Sequence, residues 1–121
     1  MNAEAVFGMI VMTFCCFGSG ALFCGIGKHA ARKSTPMGFW ANGPEIKPED
    51  ISDITAYNLE NGRMWKFYSI PYWLSGIAGI GLLWSDDFAY VCLFFLVLAG
   101  TVGLWWLIFS YKKIWNRYKT A

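Results

Sequence analysis

Three uncharged apolar runs dominate the pattern of hydrophobic and polar positions. They extend over residues 6–27, 67–84 and 88–111. A helix needs about 20 apolar residues to cross the hydrocarbon core of a bilayer, with a range of about 17–25. The pattern therefore predicts three transmembrane helices, at about 6–27, 65–84 and 88–111. Three helices of this kind would leave a soluble domain with too little polar surface.

Composition agrees with this prediction. The chain of 121 residues is 56% hydrophobic, 19% aromatic and only 15% charged, whereas a soluble domain is usually about 45–50% apolar and about 25% charged. The aromatic content excludes a disordered chain, and the length is that of one domain. We expect an all-α membrane protein with one integral membrane domain over residues 1–121, in contact with the lipid bilayer.

The polar segment 28–64 between the first two runs is predicted to hold a short amphipathic helix. Lys47-Pro48-Glu49-Asp50 is typical of a helix start, because proline suits the first turn and acidic residues suit the positive end of the dipole. Asn61-Gly62 is expected to end or kink the helix. One face carries Ile51, Ile54, Thr55, Asn58 and Leu59, and the other carries Glu49, Asp53, Ala56 and Glu60. We expect the first face to rest on the bundle and the acidic face to meet water.

The basic residues indicate the orientation. All ten lie in the loop 28–66 or in the tail 112–121, and the opposite side has Glu4, Asp86 and Asp87. Because positive charge is retained in the cytoplasm, the sequence predicts a multipass protein of the cell membrane. Its N-terminus would lie outside, and its loop 28–64 and tail 112–121 would be cytoplasmic. The acidic start and the basic residues after the first run favour a retained helix over a cleaved signal peptide.

Two further features concern the ends of the runs. The connection Ser85-Asp86-Asp87 is short, so the second and third helices should form an antiparallel hairpin, with the two carboxylates capping the third helix. Aromatic residues gather near the ends of the runs, among them Trp65, Tyr68, Trp84 and Trp105. We interpret them as interfacial belts, because amphipathic rings prefer the level of the headgroups.

Small residues recur at helical spacing in each run. Lipid supplies no hydrophobic force between helices, so small residues that allow close approach are typical of helix contacts. They are Cys16, Gly20 and Cys24 in the first run, Ser75 and Gly79 in the second, and Ala99 and Gly103 in the third. They predict packing within the bundle or, alternatively, a homo-oligomer surface.

The sequence offers no set of residues for catalysis. His29 is the only histidine, so neither a triad nor a zinc set can be assembled around it, and no phosphate loop or dinucleotide fingerprint is present. We expect no enzyme activity, no cofactor, no metal site and no nucleic-acid binding. The residues expected to form a polar or partner-binding site are Phe39, Trp40, Asn42, Glu49, Asp53, Tyr57, Asn58, Glu60 and Asn61.

Part of the chain resembles small uncharacterised bacterial membrane proteins and the SdpI-like immunity proteins. The resemblance lies in Thr35-Pro36, in Ile51 to Ile54, in Tyr57-Asn58, and in Gly62 and Trp65. Arg32-Lys33-Ser34 stands where that family has Gly-x-Arg. The resemblance implies a bacterial membrane protein without catalysis that protects against a toxin or assists a transporter.

These observations lead to two functional expectations. The first is a non-enzymatic protein that acts through a membrane-protein partner, as an immunity protein or an accessory subunit. The alternative is a small channel or transporter subunit formed by oligomerisation, which the glycine stripes motivate.

Overall fold

The computed structural model describes residues 2–38 and 46–120, and this part of the chain is all-helical. Its elements are α1 (Ala3–Arg32), a 3₁₀ turn (Pro48–Asp50), α2 (Ile54–Tyr68), α3 (Ile70–Gly81), α4 (Phe88–Leu98), a π-helical turn (Ala99–Gly103) and α5 (Leu104–Tyr118). The π-helical turn joins α4 and α5 into one rod, and α2 and α3 form another. The molecule is therefore a bundle of three rods.

The α2–α3 rod lies between the other two. It packs along α1 over its whole length, while α3 also packs against α4 and α2 against α5. Within the described residues, two helical stretches are long and apolar enough to cross a membrane: Ala3–Arg32, with 30 residues, and Phe88–Tyr118, with 31. Large apolar side chains cover the outside of both, including Phe7, Phe14, Phe94 and Trp105.

The second predicted span, 65–84, is divided in the structure. Ser69 separates α2 from α3, and α3 has only 12 residues. The break lies two residues before Pro71, which lacks an N–H and whose ring opposes a continuous helix. The Ser69 hydroxyl donates to the Lys66 carbonyl oxygen at 2.5 Å, and this satisfies one backbone acceptor at the break.

The predicted boundaries of the amphipathic helix are wrong at both ends. Pro48–Asp50 forms only the 3₁₀ turn, because Ile51 is extended and pairs with Lys119. The helix α2 begins after Asp53, whose carboxylate accepts from the Ala56 N–H at 3.1 Å. It does not end at Asn61-Gly62 but continues to Tyr68, with Gly62 packed against α1.

The connection between α3 and α4 is the short hairpin that the sequence predicts, but the capping differs. Asp87 stands at the N-cap of α4, yet its side chain makes no capping hydrogen bond. Instead, the Ser85 hydroxyl accepts from the Asp87 N–H at 3.2 Å.

Aromatic side chains form a layer inside the bundle beside the break in the central rod. Phe23 of α1 contacts Trp65, Tyr68 and Tyr72, with ring centroids 5.0–5.7 Å apart. Trp65 and Tyr68 are only 8% and 6% exposed. Their interpretation as interfacial belt residues is therefore wrong, because they fill the space between α1 and the central rod.

Candidate functional site

The Asn58 side chain makes three hydrogen bonds to the turn that follows α1. Its amide nitrogen donates to the carbonyl oxygens of Lys33 at 3.0 Å and Thr35 at 2.8 Å, and its amide oxygen accepts from the Met37 N–H at 2.8 Å. Asn58 is 1% exposed, so every hydrogen bond that its amide makes is internal. We call Asn58, Tyr57 and the turn Lys33–Met37 the loop clamp.

Tyr57 connects the loop clamp to α5. Its hydroxyl donates to the Met37 carbonyl oxygen at 2.6 Å and lies 3.0 Å from the Tyr111 hydroxyl. Because Tyr57 has one proton to donate and gives it to Met37, Tyr111 is the donor of the second bond. One buried hydroxyl thus joins α2, the turn and α5.

The environment of Tyr57 disfavours its phenolate form. Its side chain is completely buried. Burial, followed by the hydrogen bond with Tyr111, raises the pKa of Tyr57 well above its usual value near 10. The hydroxyl stays protonated at neutral pH and acts as a donor, not as a base.

A second junction, here called the tail clasp, fastens the end of α5 to the segment before α2. The Ser52 N–H donates to the Tyr118 carbonyl oxygen at 2.7 Å, and the Thr120 N–H donates to the Asp50 carbonyl oxygen at 2.9 Å. The Thr120 hydroxyl also donates to the Glu49 carbonyl oxygen at 2.8 Å. Polar parts of the loop 28–64 and of the tail 112–121 therefore meet at one end of the bundle.

The three acidic candidates have separate surroundings. Glu49 is exposed and uses its backbone carbonyl in the tail clasp. Asp53 caps α2. Glu60 is half-buried and forms an ion pair with Arg117, with Oε1 2.6 Å from the arginine Nη1. Asp53 and Glu60 thus use their carboxylates in two separate contacts, whereas Glu49 contributes only its backbone.

The face of α2 that packs on the bundle differs from the predicted one. Ile51 and Asn58 are buried and Ile54 is half-buried, but Thr55 and Leu59 are exposed. The buried face of α2 runs through Tyr57, Asn58, Asn61, Gly62, Met64, Trp65 and Tyr68. A count of apolar residues missed it, because polar groups that bond inside the bundle take part in this face.

Asn61 is also buried in α2, one turn after Tyr57. Its amide nitrogen donates to the Tyr57 carbonyl oxygen at 2.9 Å, while its amide oxygen has no hydrogen-bond partner among the described residues. The remaining candidates, Phe39, Trp40 and Asn42, lie outside the residues that the structure describes.

The small residues predicted to pack lie at contacts between the rods. Gly20 faces Trp73, Gly79 faces Thr13, and Gly103 lies near the Tyr68 ring. Cys24 lies 3.8 Å from the Ser69 hydroxyl. The Tyr68 hydroxyl donates to the Ala99 carbonyl oxygen at 3.1 Å, at the first residue of the π-helical turn.

Cys16 and Ser75 belong to a cluster of sulfur atoms and a hydroxyl inside the bundle. The Ser75 hydroxyl donates to the Cys92 carbonyl oxygen at 2.9 Å and lies 3.4 Å from the Cys16 sulfur. The Cys92 sulfur lies 3.3 Å from that of Met12. Within residues 2–38 and 46–120, no three His, Cys, Asp or Glu side chains group together to hold a metal ion.

Sequence reasoning missed a close helix crossing at which the backbones of Gly27 of α1 and Gly62 of α2 meet. A Cβ built on either glycine would lie 2.6 Å from the carbonyl oxygen of the other. The glycines themselves were the available signal. Glycine inside a helix lowers stability, so its presence there indicates a place where another group packs closely.

Several residues that carry the resemblance described above come together in this part of the molecule. Thr35 is bound by Asn58, Pro36 is buried, and Gly62 crosses Gly27. A scan against protein-family models finds no match, and searches of curated proteins and of solved structures find no match either. The resemblance therefore stays a prediction.

Proposed function

We propose that this chain is a non-enzymatic multipass membrane protein that acts by binding another membrane protein, as an immunity protein or an accessory subunit does. The observation that carries the proposal is the loop clamp. The polar groups of Tyr57 and Asn58 are buried and bonded to backbone or to Tyr111. These groups hold the turn Lys33–Met37 against the end of the bundle, and they are not available to bind a substrate.

The proposal includes a third crossing by the α2–α3 rod, from about Trp65 to Trp84. This segment has no charged residue from Phe67 to Trp84. Leu74, Ile77 and Ile80 are exposed along it, which suits contact with lipid. A break near a proline is compatible with a crossing because neighbouring groups satisfy the freed backbone atoms, as the Ser69 hydroxyl does here.

The proposed orientation has the N-terminus outside and the C-terminus in the cytoplasm. All ten basic residues fall in the loop and the tail, and the positive-inside rule assigns such segments to the cytoplasm. The tail clasp and the Glu60–Arg117 ion pair support this assignment, because they require the loop and the tail to share one side.

A face of α1 supports the partner-binding role. Gly18, Ala21 and Gly25 are exposed, and nothing lies within 4 Å of a Cβ built on either glycine. Small residues at this spacing let a second helix approach closely. The small residues that motivated the channel alternative largely pack within the bundle instead. Gly20 contacts Trp73, and Gly79 contacts Thr13.

Two experiments test the proposal. Affinity capture from membranes in mild detergent should recover a partner in a fixed ratio, and recovery of a partner-free monomer would contradict the function. For the orientation, Asp87→Cys should react with a membrane-impermeant thiol reagent applied to intact cells, whereas Lys119→Cys should react only after lysis. The wild-type chain, whose cysteines lie inside the apolar runs, is the blank for both variants.

A further inference from the structure

A groove of about 290 Å³ runs between α2 and α5 on the surface of the bundle. Its lining residues are Glu60, Arg63, Met64 and Phe67 of α2 and Trp106, Ser110, Lys113, Ile114 and Arg117 of α5. They follow one another at intervals of one to four residues, so each helix gives one continuous stripe to the groove. The function proposed above makes no use of this groove.

The groove is polar at one end and apolar at the other. Because α2 and α5 are antiparallel, Glu60 and Arg117 lie together near the tail clasp, and their ion pair marks that end. Phe67 and Trp106 lie at the opposite end, with ring centroids 5.9 Å apart and exposed fractions of 66% and 40%. One groove therefore joins a charged end to an end with exposed aromatic rings.

The charges of the groove favour an anion. Arg63, Lys113 and Arg117 line it with a single carboxylate, Glu60, and that carboxylate is already paired with Arg117. Basic pockets between helices on the cytoplasmic side of a membrane bind anionic lipid headgroups. The Ser110 hydroxyl adds a hydrogen-bond donor between the charged and the aromatic parts.

We propose that this groove binds one anionic phospholipid. The phosphate lies among Arg63, Lys113 and Arg117, and an acyl chain covers Phe67 and Trp106. A free phosphate would use only the basic end and would leave the aromatic surface bare, whereas a phospholipid matches both parts. The assignment rests on the membrane placement proposed above, in which this end of the bundle meets the cytoplasmic headgroups.

The test uses the full chain purified in a mild non-ionic detergent. Phosphatidylglycerol and phosphatidylcholine with identical acyl chains are titrated separately, and native mass spectrometry counts the lipids retained. We expect one phosphatidylglycerol to be retained about 25-fold more tightly than phosphatidylcholine, since Arg63 and Lys113, which Glu60 does not pair with, each contribute about fivefold to the binding of anionic lipid.

Variants locate the binding site. Arg63→Gln and Lys113→Gln should each weaken phosphatidylglycerol retention about fivefold and leave phosphatidylcholine retention unchanged. Lys112→Gln is the matched control, because Lys112 is exposed and adjacent in sequence but does not line the groove. Trp106→Ala should weaken the retention of both lipids, because it removes surface from the proposed acyl contact.

Three results would overturn the proposal: equal retention of the two lipids, an equal effect of Lys112→Gln and Lys113→Gln, or full displacement of phosphatidylglycerol by inorganic phosphate. Equal retention would show that the chain does not select the headgroup. Equal effects of the two lysine variants would indicate binding by diffuse surface charge, and displacement by phosphate would indicate a site for a free anion. Resistance to alkaline extraction from phosphatidylcholine vesicles tests membrane insertion separately. A chain that inserts without headgroup selectivity contradicts the lipid site alone, whereas a chain that does not insert contradicts the proposed function.

Discussion

Gly27 and Gly62 bring the backbones of α1 and α2 into direct contact. A Cβ on Gly27 would lie 2.6 Å from the Gly62 carbonyl oxygen and 2.8 Å from Cγ of Lys66, and a Cβ on Gly62 would lie 2.6 Å from the Gly27 carbonyl oxygen. The crossing lies between the aromatic layer and the loop clamp. It therefore sets the distance between α1 and the central rod at the end of the bundle that carries the loop.

Gly27→Ala should destabilise the protein. The added methyl group meets a backbone carbonyl that cannot rotate away, so the helices must separate. Overpacking of this kind costs about 1–3 kcal/mol. The measurement is the free energy of unfolding in detergent micelles with a denaturing detergent as titrant. Gly62→Ala should show a loss of similar size.

Gly25→Ala is the matched control for this crossing. The two glycines are separated by one residue on α1, but nothing lies within 4 Å of a Cβ built on Gly25. Alanine is the better helix former by up to about 1 kcal/mol, so this variant should be as stable as the wild type or more stable. Equal destabilisation by Gly25→Ala and Gly27→Ala would refute the crossing.

Asn58→Ala should release the turn after α1. The substitution removes three hydrogen bonds to the turn and leaves the backbone groups of Lys33, Thr35 and Met37 without these partners. Groups left unpaired in this way cost about 1–3 kcal/mol. The expected result is faster tryptic cleavage after Lys33 in detergent, followed by mass spectrometry. Thr55→Ala, at an exposed position of the same helix, should leave the rate unchanged.

The free energy of unfolding should fall at alkaline pH because of the buried Tyr57 hydroxyl. Its pKa is raised in the folded state, so above pH 10 the unfolded chain releases a proton that the folded chain keeps. The contribution of Tyr57 is complete below pH 10 and falls as the pH rises, by about 1.4 kcal/mol per pH unit.

The test compares the wild type with Tyr57→Phe at pH 8 and pH 11 by denaturant titration. The phenylalanine variant is less stable at pH 8, because it lacks the bonds to Met37 and Tyr111. At pH 11 the gap between the two proteins should be smaller. A gap that is constant or grows with pH would contradict the buried, protonated tyrosine.

A chain that ends at Arg117 should lose the tail clasp. It lacks the Tyr118 carbonyl and both Thr120 donors, and with them three hydrogen bonds to the segment before α2. At about 1 kcal/mol for each bond, amide hydrogen exchange across residues 49–53 should accelerate at least tenfold. A chain that ends at Thr120 keeps these bonds and should exchange like the wild type.

Gly18→Leu should weaken binding of the proposed partner. The position is exposed and open, so leucine does not disturb the bundle but blocks close approach by another helix. Affinity capture should recover less partner, while the unfolding free energy stays within about 0.5 kcal/mol of the wild type. Gly8→Leu, also open but about 15 Å away from Gly18 along α1, is the control. Undiminished capture by Gly18→Leu would exclude this face.

Some parts of this structure follow from the sequence because they depend on local composition. Uncharged runs longer than 20 residues identify α1 and the α4–α5 rod, since length and hydropathy are properties of the chain alone. The short connection Ser85-Asp86-Asp87 predicts the hairpin for the same reason. The sequence also indicates Tyr57 and Asn58 as candidates, because polar groups beside an apolar run need hydrogen-bond partners.

The role of those polar groups was decided by the tertiary structure. Asn58 bonds to Lys33 and Thr35, which lie more than 20 residues earlier in the chain, and spacing within a helix carries no information about such distant partners. The predicted end of α2 at Gly62 failed for a related reason. The intrinsic preference of glycine opposes a helix interior, but the contact with Gly27 requires a residue without a side chain there.

Sequence alone determined which segments are apolar, where the basic residues gather and that the chain is helical. Tertiary structure decided which face of α2 is buried, where the central rod breaks, and how the loop and the tail meet. The physical reason is that the hydropathy of a segment depends only on residues that are neighbours in sequence. Backbone contacts such as Gly27–Gly62 and bonds such as Ser52–Tyr118 depend on where separate helices lie in space.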